Sequence, residues 1–437
     1  MFKSMLSPET LKIVVLAMFG VTYVLLMLLP KIRAYIALGC AAIFVILGAI
    51  PFTGDKGVLN AIDWNVLMMI AGTMGTVYFF IESKMPALLA DVIIRKMPNV
   101  KWAIVALSLF AGIISAFVDN VATVLMVAPV ALTIAKKLKI SPVSSIIAIA
   151  VASNLQGAAT LVGDTTSILL GGYANMSFLD FFFLDKKIGM FWIVQLGALA
   201  STLVLMWIFR KDTQKINIQD KTKVSDYFPT VLLLGTILLL IVASFFEKKP
   251  ETTNGLICVG LFLVGLVREI IKTRSFKIFK ASMKEIDFFT LLLLASLFVV
   301  IGTLTNVGIV DDIGALIGGI TNNPFILFTI IVWISVLLSA FIDNIPYIAT
   351  MLPVVEAMAP SLGFGTTKPY VLYFGLLVGA TLGGNLTPIG ASANITGIGI
   401  LRNAGHEVKT KDFMKISVPF TLAAVITGYL LVWVIWK

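Results

Sequence analysis

Apolar runs of about twenty residues follow one another from one end of the chain to the other, and no other feature restricts the fold as strongly. The hydrocarbon core of a bilayer takes about 20 apolar residues of helix, with a range of roughly 17–25. Residues 11–30, 34–51, 62–82, 189–209, 228–246, 255–270, 286–305 and 416–436 each fit one crossing. Composition agrees: 59% of the 437 residues are hydrophobic and 13% are charged, where a soluble domain has roughly 45–50% and about 25%. A globular core could not hide that excess, and a disordered chain would not carry it. The chain therefore reads as an all-α polytopic membrane protein. That excludes a soluble enzyme, a nucleic-acid-binding protein and a disulfide-framed secreted module. Cys40 and Cys258 fall inside apolar runs and read as small core residues. The run from Ile13 to Leu29 is long for a signal peptide and lacks a small-residue cleavage site, so it reads as a span.

Four stretches do not fit a single crossing. Residues 101–136 and 325–359 are long, apolar and interrupted midway by Asp-Asn; residues 143–172 and 368–400 are too long and contain several glycines. These stretches repeat. Asp119-Asn120 recurs as Asp343-Asn344, Ser115-Ala116-Phe117 as Ser339-Ala340-Phe341, and Pro129-Val130 as Pro353-Val354, all at an offset of 224 that also carries Asp63 onto Asp287. The offset then becomes 227, and Gly157, Thr160 and Gly163 fall on Gly384, Thr387 and Gly390. Residues 1–210 and 228–437 thus read as two copies of one unit, joined by a basic linker over 211–227 that is expected on the cytoplasmic side.

Treating 101–136 and 325–359 as re-entrant hairpins, and 143–172 and 368–400 as single broken helices, gives each copy five crossings and one hairpin. An odd number of crossings inverts the second copy, so two inverted-topology repeats are expected. On that topology the inner loops hold 24 of the 33 Lys and Arg, and the outer side, with both termini, holds 9. Segment 306–324 has neither Lys nor Arg. This asymmetry follows the positive-inside rule and suits a bacterial or archaeal cytoplasmic membrane with both termini outside. The net charge of +10 then reports orientation and not a polyanion partner. Inverted repeats with broken helices are the layout of a secondary transporter. Irregular backbone at membrane depth survives only where protein or a water-filled cavity covers it. The four interruptions are therefore expected to meet at one site.

The hairpin tips read Phe117-Val118-Asp119-Asn120-Val121-Ala122-Thr123 and Phe341-Ile342-Asp343-Asn344-Ile345-Pro346. A carboxylate inside an apolar segment is costly and points to function. Each Asp can also cap the helix that follows it, and Pro346 suits a first helical turn. The broken helices carry their interruptions between Ser153 and Ser167 and between Gly383 and Asn394. Glycine and Pro388 free backbone carbonyls there, and Asn154, Thr160, Gly163, Asp164, Thr165, Asn385, Thr387, Gly390, Ser392 and Asn394 join the candidate site. Such a break can hold Na⁺ through oxygens while half-helix N-termini face a polar solute. A small-residue seam for close helix packing is the other reading. Asp119, Asn120, Thr123, Asp343 and Asn344 complete the set.

No Lys, Arg or His falls in the middle of a predicted span, and the single histidine, His406, lies in a basic inner loop. Asp119, Asp164 and Asp343 are therefore expected to lack a buried cationic partner. Each must take a proton, bind a cation or lean on backbone dipoles, and burial raises the proton affinity of a carboxylate. Three carboxylates without a base suit Na⁺, H⁺ or a neutral polar solute better than a bare dianion. A soft metal ion would want thiolate or imidazole. No Walker-type phosphate loop occurs, so the chain is not expected to hydrolyse ATP itself. No cofactor is called for beyond H⁺ or Na⁺ as coupling ion. Asp63 and Asp287 read as helix caps, and residues 86–97 as an amphipathic interfacial helix. Glu356, on the second hairpin, has only Leu132 as its repeat counterpart, and both a site role and local satisfaction stay open for it.

At these motifs the sequence resembles the ion transporter superfamily, in particular the branch holding arsenite/antimonite permeases, the melanosomal P-protein and certain sodium–proton antiporters. Phe117 to Pro129 and Phe341 to Pro353 resemble the hairpins of that branch. Ser153 to Asp164 resembles its Ser-Asn-x-Gly-Gly-x-Ala-Thr-Leu-Ile-Gly-Asp signature, and Gly383 to Asn394 is similar to Gly-Gly-Asn-x-Thr-x-Ile-Gly-Ala-Ser-Ala-Asn. The resemblance implies a homodimer with a scaffold and a moving transport domain, working by an elevator motion. It also implies a substrate held among Asp119, Asn120, Asp343, Asn344 and both broken loops. Gln156 stands where the branch has Gly, and Thr165-Thr166-Ser167 where it often has Pro-Pro-Asn, both beside the expected site. Related dicarboxylate carriers have Ser-Asn-Thr at the tips, which Asp-Asn does not match.

The expected function is secondary transport, first as proton-coupled efflux of arsenite or antimonite. Na⁺/H⁺ antiport and Na⁺-coupled anion uptake are alternatives on the same fold. A channel, or a subunit working with a cytosolic ATPase, is the alternative from another class. Expected partners are the lipid bilayer, a small inorganic solute and a second copy of the chain, with no nucleic acid.

Overall fold

In lipid every backbone N–H and C=O must find its partner within its own segment, so each uninterrupted apolar run becomes helix. The computed structural model describes residues 7–216, 222–246, 248–321, 323–359 and 368–437. The first half holds α1 (Pro8–Leu28), α2 (Arg33–Ile46), α3 (Val58–Ala61), α4 (Trp64–Glu82), α5 (Met85–Arg95), α6 (Val100–Ser115), α7 (Asn120–Leu138), α8 (Val143–Gly157), α9 (Thr165–Tyr173) and α10 (Met190–Ile208). The second holds α11 (Phe228–Ser244), α12 (Thr253–Thr273), α13 (Lys277–Glu285), α14 (Phe288–Asn306), α15 (Ile309–Gly318), α16 (Pro324–Ser339), α17 (Asn344–Met358), α18 (Tyr370–Leu377), α19 (Ser392–Asn403) and α20 (Thr410–Trp436). A two-stranded antiparallel ribbon over 183–188 joins α9 to α10.

Among the described residues seven helices are long and apolar enough to cross a bilayer: α1, α4, α7, α10, α12, α14 and α20. The stretches that fit no single crossing are broken where the sequence breaks. Residues 101–136 divide into α6 and α7, and 325–359 into α16 and α17, each at its Asp-Asn. Residues 143–172 divide into α8 and α9. Residues 368–400 form α18, a wider π-type turn at Val378–Leu382, a tight turn at Gly384–Leu386, and α19. Element boundaries follow the sequence offset: α4 and α14 have 19 residues each, and α6 and α16 have 16 each.

Two groups of helices share the packing. Helices α1, α2, α4, α11, α12 and α14 pack chiefly on one another, as do α6 to α10 with α16 to α20. Each group draws on both sequence halves. The amphipathic α5 and α15 leave the first group and lie on the second, α5 on α6 and α7, α15 on α17. Leu199, Leu203, Trp207, Leu234, Leu238 and Val434 face outward, while Ser153, Asn154, Thr160, Asn385 and Asn394 are wholly buried. That order, apolar outside and polar within, is stable in lipid.

The linker is fastened at both ends. Val100 N donates to Gln214 O at 3.0 Å and Lys101 N to Asp212 O at 2.8 Å. Thr222 donates its N–H and hydroxyl to Asp91 Oδ2 at 2.8 and 2.6 Å. Asp226 sits between Arg268 at 2.5 Å and Lys272 at 2.6 Å. Its hydrogen bond from Arg268, then that from Lys272, holds its carboxyl below the usual carboxylate range. Residues 217–221 of the linker lie outside the described residues.

Candidate functional site

A helix that starts inside a protein leaves N–H groups that water cannot reach, so a side chain must take them. Asp119 does this for α7: its Oδ1 accepts from Val121 N at 3.0 Å and Ala122 N at 3.1 Å. Asp343 does it for α17, accepting from Ile345 N at 3.0 Å, with Pro346 in the first turn. Asp63 and Asp287 cap α4 and α14, accepting from Val66 N at 2.9 Å and Thr290 N at 3.0 Å. The capping reading thus holds for all four aspartates.

The broken loops lie across the hairpin tips. Thr160 donates its hydroxyl to Ala116 O, and Thr387 donates to Ala340 O, the same bond in each half. Gly163 and Gly390 make the crossing. A Cβ on Gly163 would stand 2.7 Å from Gly157 O and 2.9 Å from Ala116 O; on Gly390, 2.5 Å from Gly384 O and 2.8 Å from Ser339 O. Only glycine lets the two backbones approach so closely.

Amides stitch the halves together. Asn120 Nδ2 donates to Asn154 Oδ1 at 3.0 Å and to Asp164 Oδ1 at 3.3 Å. Asn154 Nδ2 donates to Thr381 O at 2.8 Å, and Thr166 Oγ1 to Asp164 Oδ2 at 2.8 Å. From the other half, Asn385 Nδ2 donates to Val151 O at 2.9 Å. Asn394 Nδ2 donates to Gly384 O and Thr387 O, both at 3.1 Å. Among the described residues the buried Oδ1 atoms of Asn385 and Asn394 have no hydrogen-bond partner. Such orphaned carbonyl oxygens suit a cation or a bound water.

These parts enclose a cavity of about 340 Å³. Of the expected site residues, Asp119, Asn120, Asp164, Thr165, Asn344 and Ser392 line it. Asp343 does not. Thr123, Asn154, Thr160, Gly163, Asn385, Thr387, Gly390 and Asn394 do not line it; Thr123 donates its hydroxyl to O of the lining Asp119 at 3.0 Å, and Asn154 bonds to the lining Asn120. The cavity reaches Tyr78 and Ile81 near the end of α4 and Glu285 and Asp287 before α14, beside the basic segments 84–101 and 268–284. Its charged lining is four carboxylates (Asp119, Asp164, Glu285 and Asp287) and one guanidinium, Arg33. Among the described residues no His, Cys, Asp and Glu cluster could hold a metal ion.

Arg33 corrects the expectation that all three aspartates lack a cationic partner. Its Nη1 lies 2.7 Å from Asp343 Oδ2, and both side chains are mostly buried. It sits on the first turn of α2, where sequence alone placed a loop base. Among the described residues Asp119 and Asp164 have no such ion pair. Glu285 and Asp287 were also missed as lining residues; the cap pattern at Asp287 was the one available signal. A second correction concerns Gln156. It forms a reciprocal amide pair with Gln195, at 2.9 and 2.7 Å, between α8 and α10, and does not line the cavity.

A second cavity, of about 540 Å³, lies toward the opposite face. Part of its lining repeats the first one's positions. Phe298, Ile301, Gly302 and Thr305 stand 224 residues after Met74, Val77, Tyr78 and Ile81, and Ala349 stands 224 after Leu125. None of Asp119, Asp164 and Asp343 lines it.

Helices broken at membrane depth, hairpin tips laid against them and a polar cavity between define a multi-pass membrane transporter. The family described as citrate transporter (CitMHS) matches residues 23–379, and the chain belongs to it. The 46 kDa membrane protein of Mycobacterium leprae is 28% identical over 433 residues, covering 97% of this chain and 98% of that one. An uncharacterized transporter of Mycobacterium tuberculosis is 28% identical over 439 residues, with the same coverage. The human P protein is 26% identical over 469 residues, covering 88% of this chain and 56% of its own, which bears out the resemblance to the P-protein branch. Among solved structures, the YdaH transporter of Alcanivorax borkumensis has a TM-score of 0.58 at 16% identity, covering 98% of both chains. MtrF of Neisseria gonorrhoeae, described within a class of antimetabolite efflux pumps, has a TM-score of 0.55 at 14% identity, covering 98% and 95%. At these identities the likeness concerns the fold.

Proposed function

We propose that this transporter exports a small neutral polyhydroxy solute of the arsenite or antimonite type in exchange for protons. The observation that carries the reading is the cavity lining: four carboxylates against one guanidinium, with amides and hydroxyls and no thiol. Such a lining repels a free dianion. It accepts protons, or the O–H groups of an uncharged solute; arsenous acid is mostly uncharged at neutral pH. Asp119 and Asp164 are the coupling carboxylates of this reading, because Asp343 is already paired.

Alternating access explains the second cavity. If the two halves are inverted copies, exchanging their conformations closes the cavity beside the basic loops and opens its counterpart. The basic loops then mark the cytoplasm. The group of α1, α2, α4, α11, α12 and α14 acts as scaffold and dimer contact, and the other group moves past it as an elevator.

The test is a pH-dye assay on purified protein in liposomes. Arsenite should drive proton movement in the wild type and none in Asp119→Asn or Asp164→Asn, both folded. No proton movement on adding arsenite to the wild type refutes the substrate. Na⁺ alone dissipating a proton gradient would mark Na⁺/H⁺ antiport instead. A further reading, Na⁺-coupled uptake of a carboxylate anion, is favoured by Arg33 in the lining and by the family's description. It requires citrate uptake that stops without Na⁺ and is lost in Arg33→Gln.

A further inference from the structure

The two cavities share part of their lining through the repeat, and Glu356 is not in that shared part. Its repeat counterpart is Leu132, so the repeat has no use for a carboxylate here. Glu356 lies on α17, one turn beyond Leu352 and Pro353, and faces the larger cavity. It accepts a hydrogen bond from the hydroxyl of Tyr173, at the end of α9. Tyr373 of α18 stands beside both, its ring edge-on to that of Tyr173 with centroids 6.1 Å apart. Tyr373 is 1% exposed, and among the described residues its hydroxyl has no partner at full hydrogen-bond geometry, Glu356 being its neighbour. Three helices thus bring together one carboxylate and two phenol oxygens.

The surrounding charges do not neutralise this group. Among the described residues no Lys or Arg lies within ion-pair distance of Glu356. Lys368 donates to Ala174 O, so its ammonium is held at a carbonyl. Asp312 of α15 is paired with Lys12 at 2.5 Å. Asp55, Lys56, Asp63 and Asp311 line the same cavity, with Asp63 beside Gly172. Leu169, Ala349, Leu352 and Ala357 add apolar groups to the wall. Glu356 is itself exposed, so a cation reaches its carboxylate directly from solvent.

We propose that Glu356, with Tyr173 and Tyr373, forms a monovalent-cation site in the wall of this cavity, separate from the central site and present in one half only. The coupling ion is bound there on its way between solvent and Asp119 or Asp164. A proton would sit on a Glu356 oxygen with the phenols as partners; Na⁺ would take the carboxylate and both phenol oxygens. The inference rests on the reading that transport is ion-coupled.

The test uses the full-length protein inserted in one orientation in liposomes, with ion concentration varied on each face in turn. Glu356→Gln should weaken the apparent ion affinity at least tenfold on the face of the larger cavity, and leave that on the basic face as in the wild type. Tyr173→Phe should shift the same parameter in the same direction by less. One arm varies pH without Na⁺ and the other varies Na⁺ at fixed pH, and the arm that shifts names the cation. Unchanged dependence on both faces, or equal change on both, overturns the proposal. Thermal unfolding of each variant reports folding. Asp119→Asn runs alongside: if it retains coupled transport, the central-site reading fails whatever Glu356→Gln does.

Discussion

Arg33 Nη1 donates to Asp343 Oδ2 at 2.7 Å, joining the first residue of α2 to the tip of the second hairpin, 310 residues away. The first tip has no such partner among the described residues, although Asp119 and Asp343 occupy equivalent positions. Two sequence-equivalent carboxylates therefore differ in charge balance. Removing one member of a mostly buried pair leaves the other uncompensated. Arg33→Gln should lower stability by about 2 kcal/mol, toward the lower end for a desolvated hydrogen-bonded charge pair. The double variant Arg33→Gln/Asp343→Asn should recover most of that loss in thermal unfolding of the detergent-solubilised protein. Equal loss in the single and double variants would mean that the pair is incidental to stability.

Gly163 and Gly390 leave no room for a methyl group. Either Gly→Ala change pushes the loop off the hairpin-tip carbonyls, at about 1–3 kcal/mol for a forced contact. Both variants should show reduced thermal stability and reduced transport. The effects should be similar, because the crowding carbonyls correspond across the two halves. A fully active Gly163→Ala protein would show that the loop can give way there.

Replacing Gln156 by glycine restores the residue usual in the resembling branch. It also removes the partner of Gln195 and puts glycine near the end of α8. A loss of about 2 kcal/mol is expected from the broken amide pair and the glycine together. Relative rates for different solutes should not change, since Gln156 lies off the cavity. A competition assay with two substrates checks this.

Asp226 tests the linker. Its folded pKa lies below the usual carboxylate value. Its contribution is therefore present above the unfolded pKa of about 3.9 and is lost as pH falls through the lower, folded value. Asp226→Asn should lower stability by about 1 kcal/mol or less, since Lys272 is half-exposed and Arg268 one-third exposed. The difference in Tm between wild type and variant should stay level from about pH 8 to pH 5 and close only below about pH 4.

The breaks in the four long stretches were legible because lipid punishes irregular backbone, so every interruption in an apolar run had to have a reason. Asp119-Asn120 and Asp343-Asn344 marked both breaks, and Gly163 and Gly390 both crossings. Arg33 was not legible as a site residue. A base at the first turn of a span reads as loop charge, and nothing near it in sequence announces a carboxylate 310 residues on. Gln156 misled for the converse reason. It is near Asp164 in sequence, but on the helix it turns toward Gln195 of α10. Glu356 is on the second hairpin but toward the far end of α17 from the tip, so hairpin membership alone could not say which cavity it faces.

Each of the two packing groups is assembled from both sequence halves. A ribosome that has completed α10 has therefore made neither body whole. Helices α1, α2 and α4 must stay in the membrane without α11, α12 and α14, and α6 to α10 without α16 to α20. At roughly 5–20 residues per second, the second half takes on the order of ten to fifty seconds to emerge. Throughout that interval Asn154 of α8 lacks the Thr381 carbonyl, and the Val151 carbonyl lacks the Asn385 amide. Biogenesis of this chain, more than its final stability, is where a membrane-embedded chaperone has most to do.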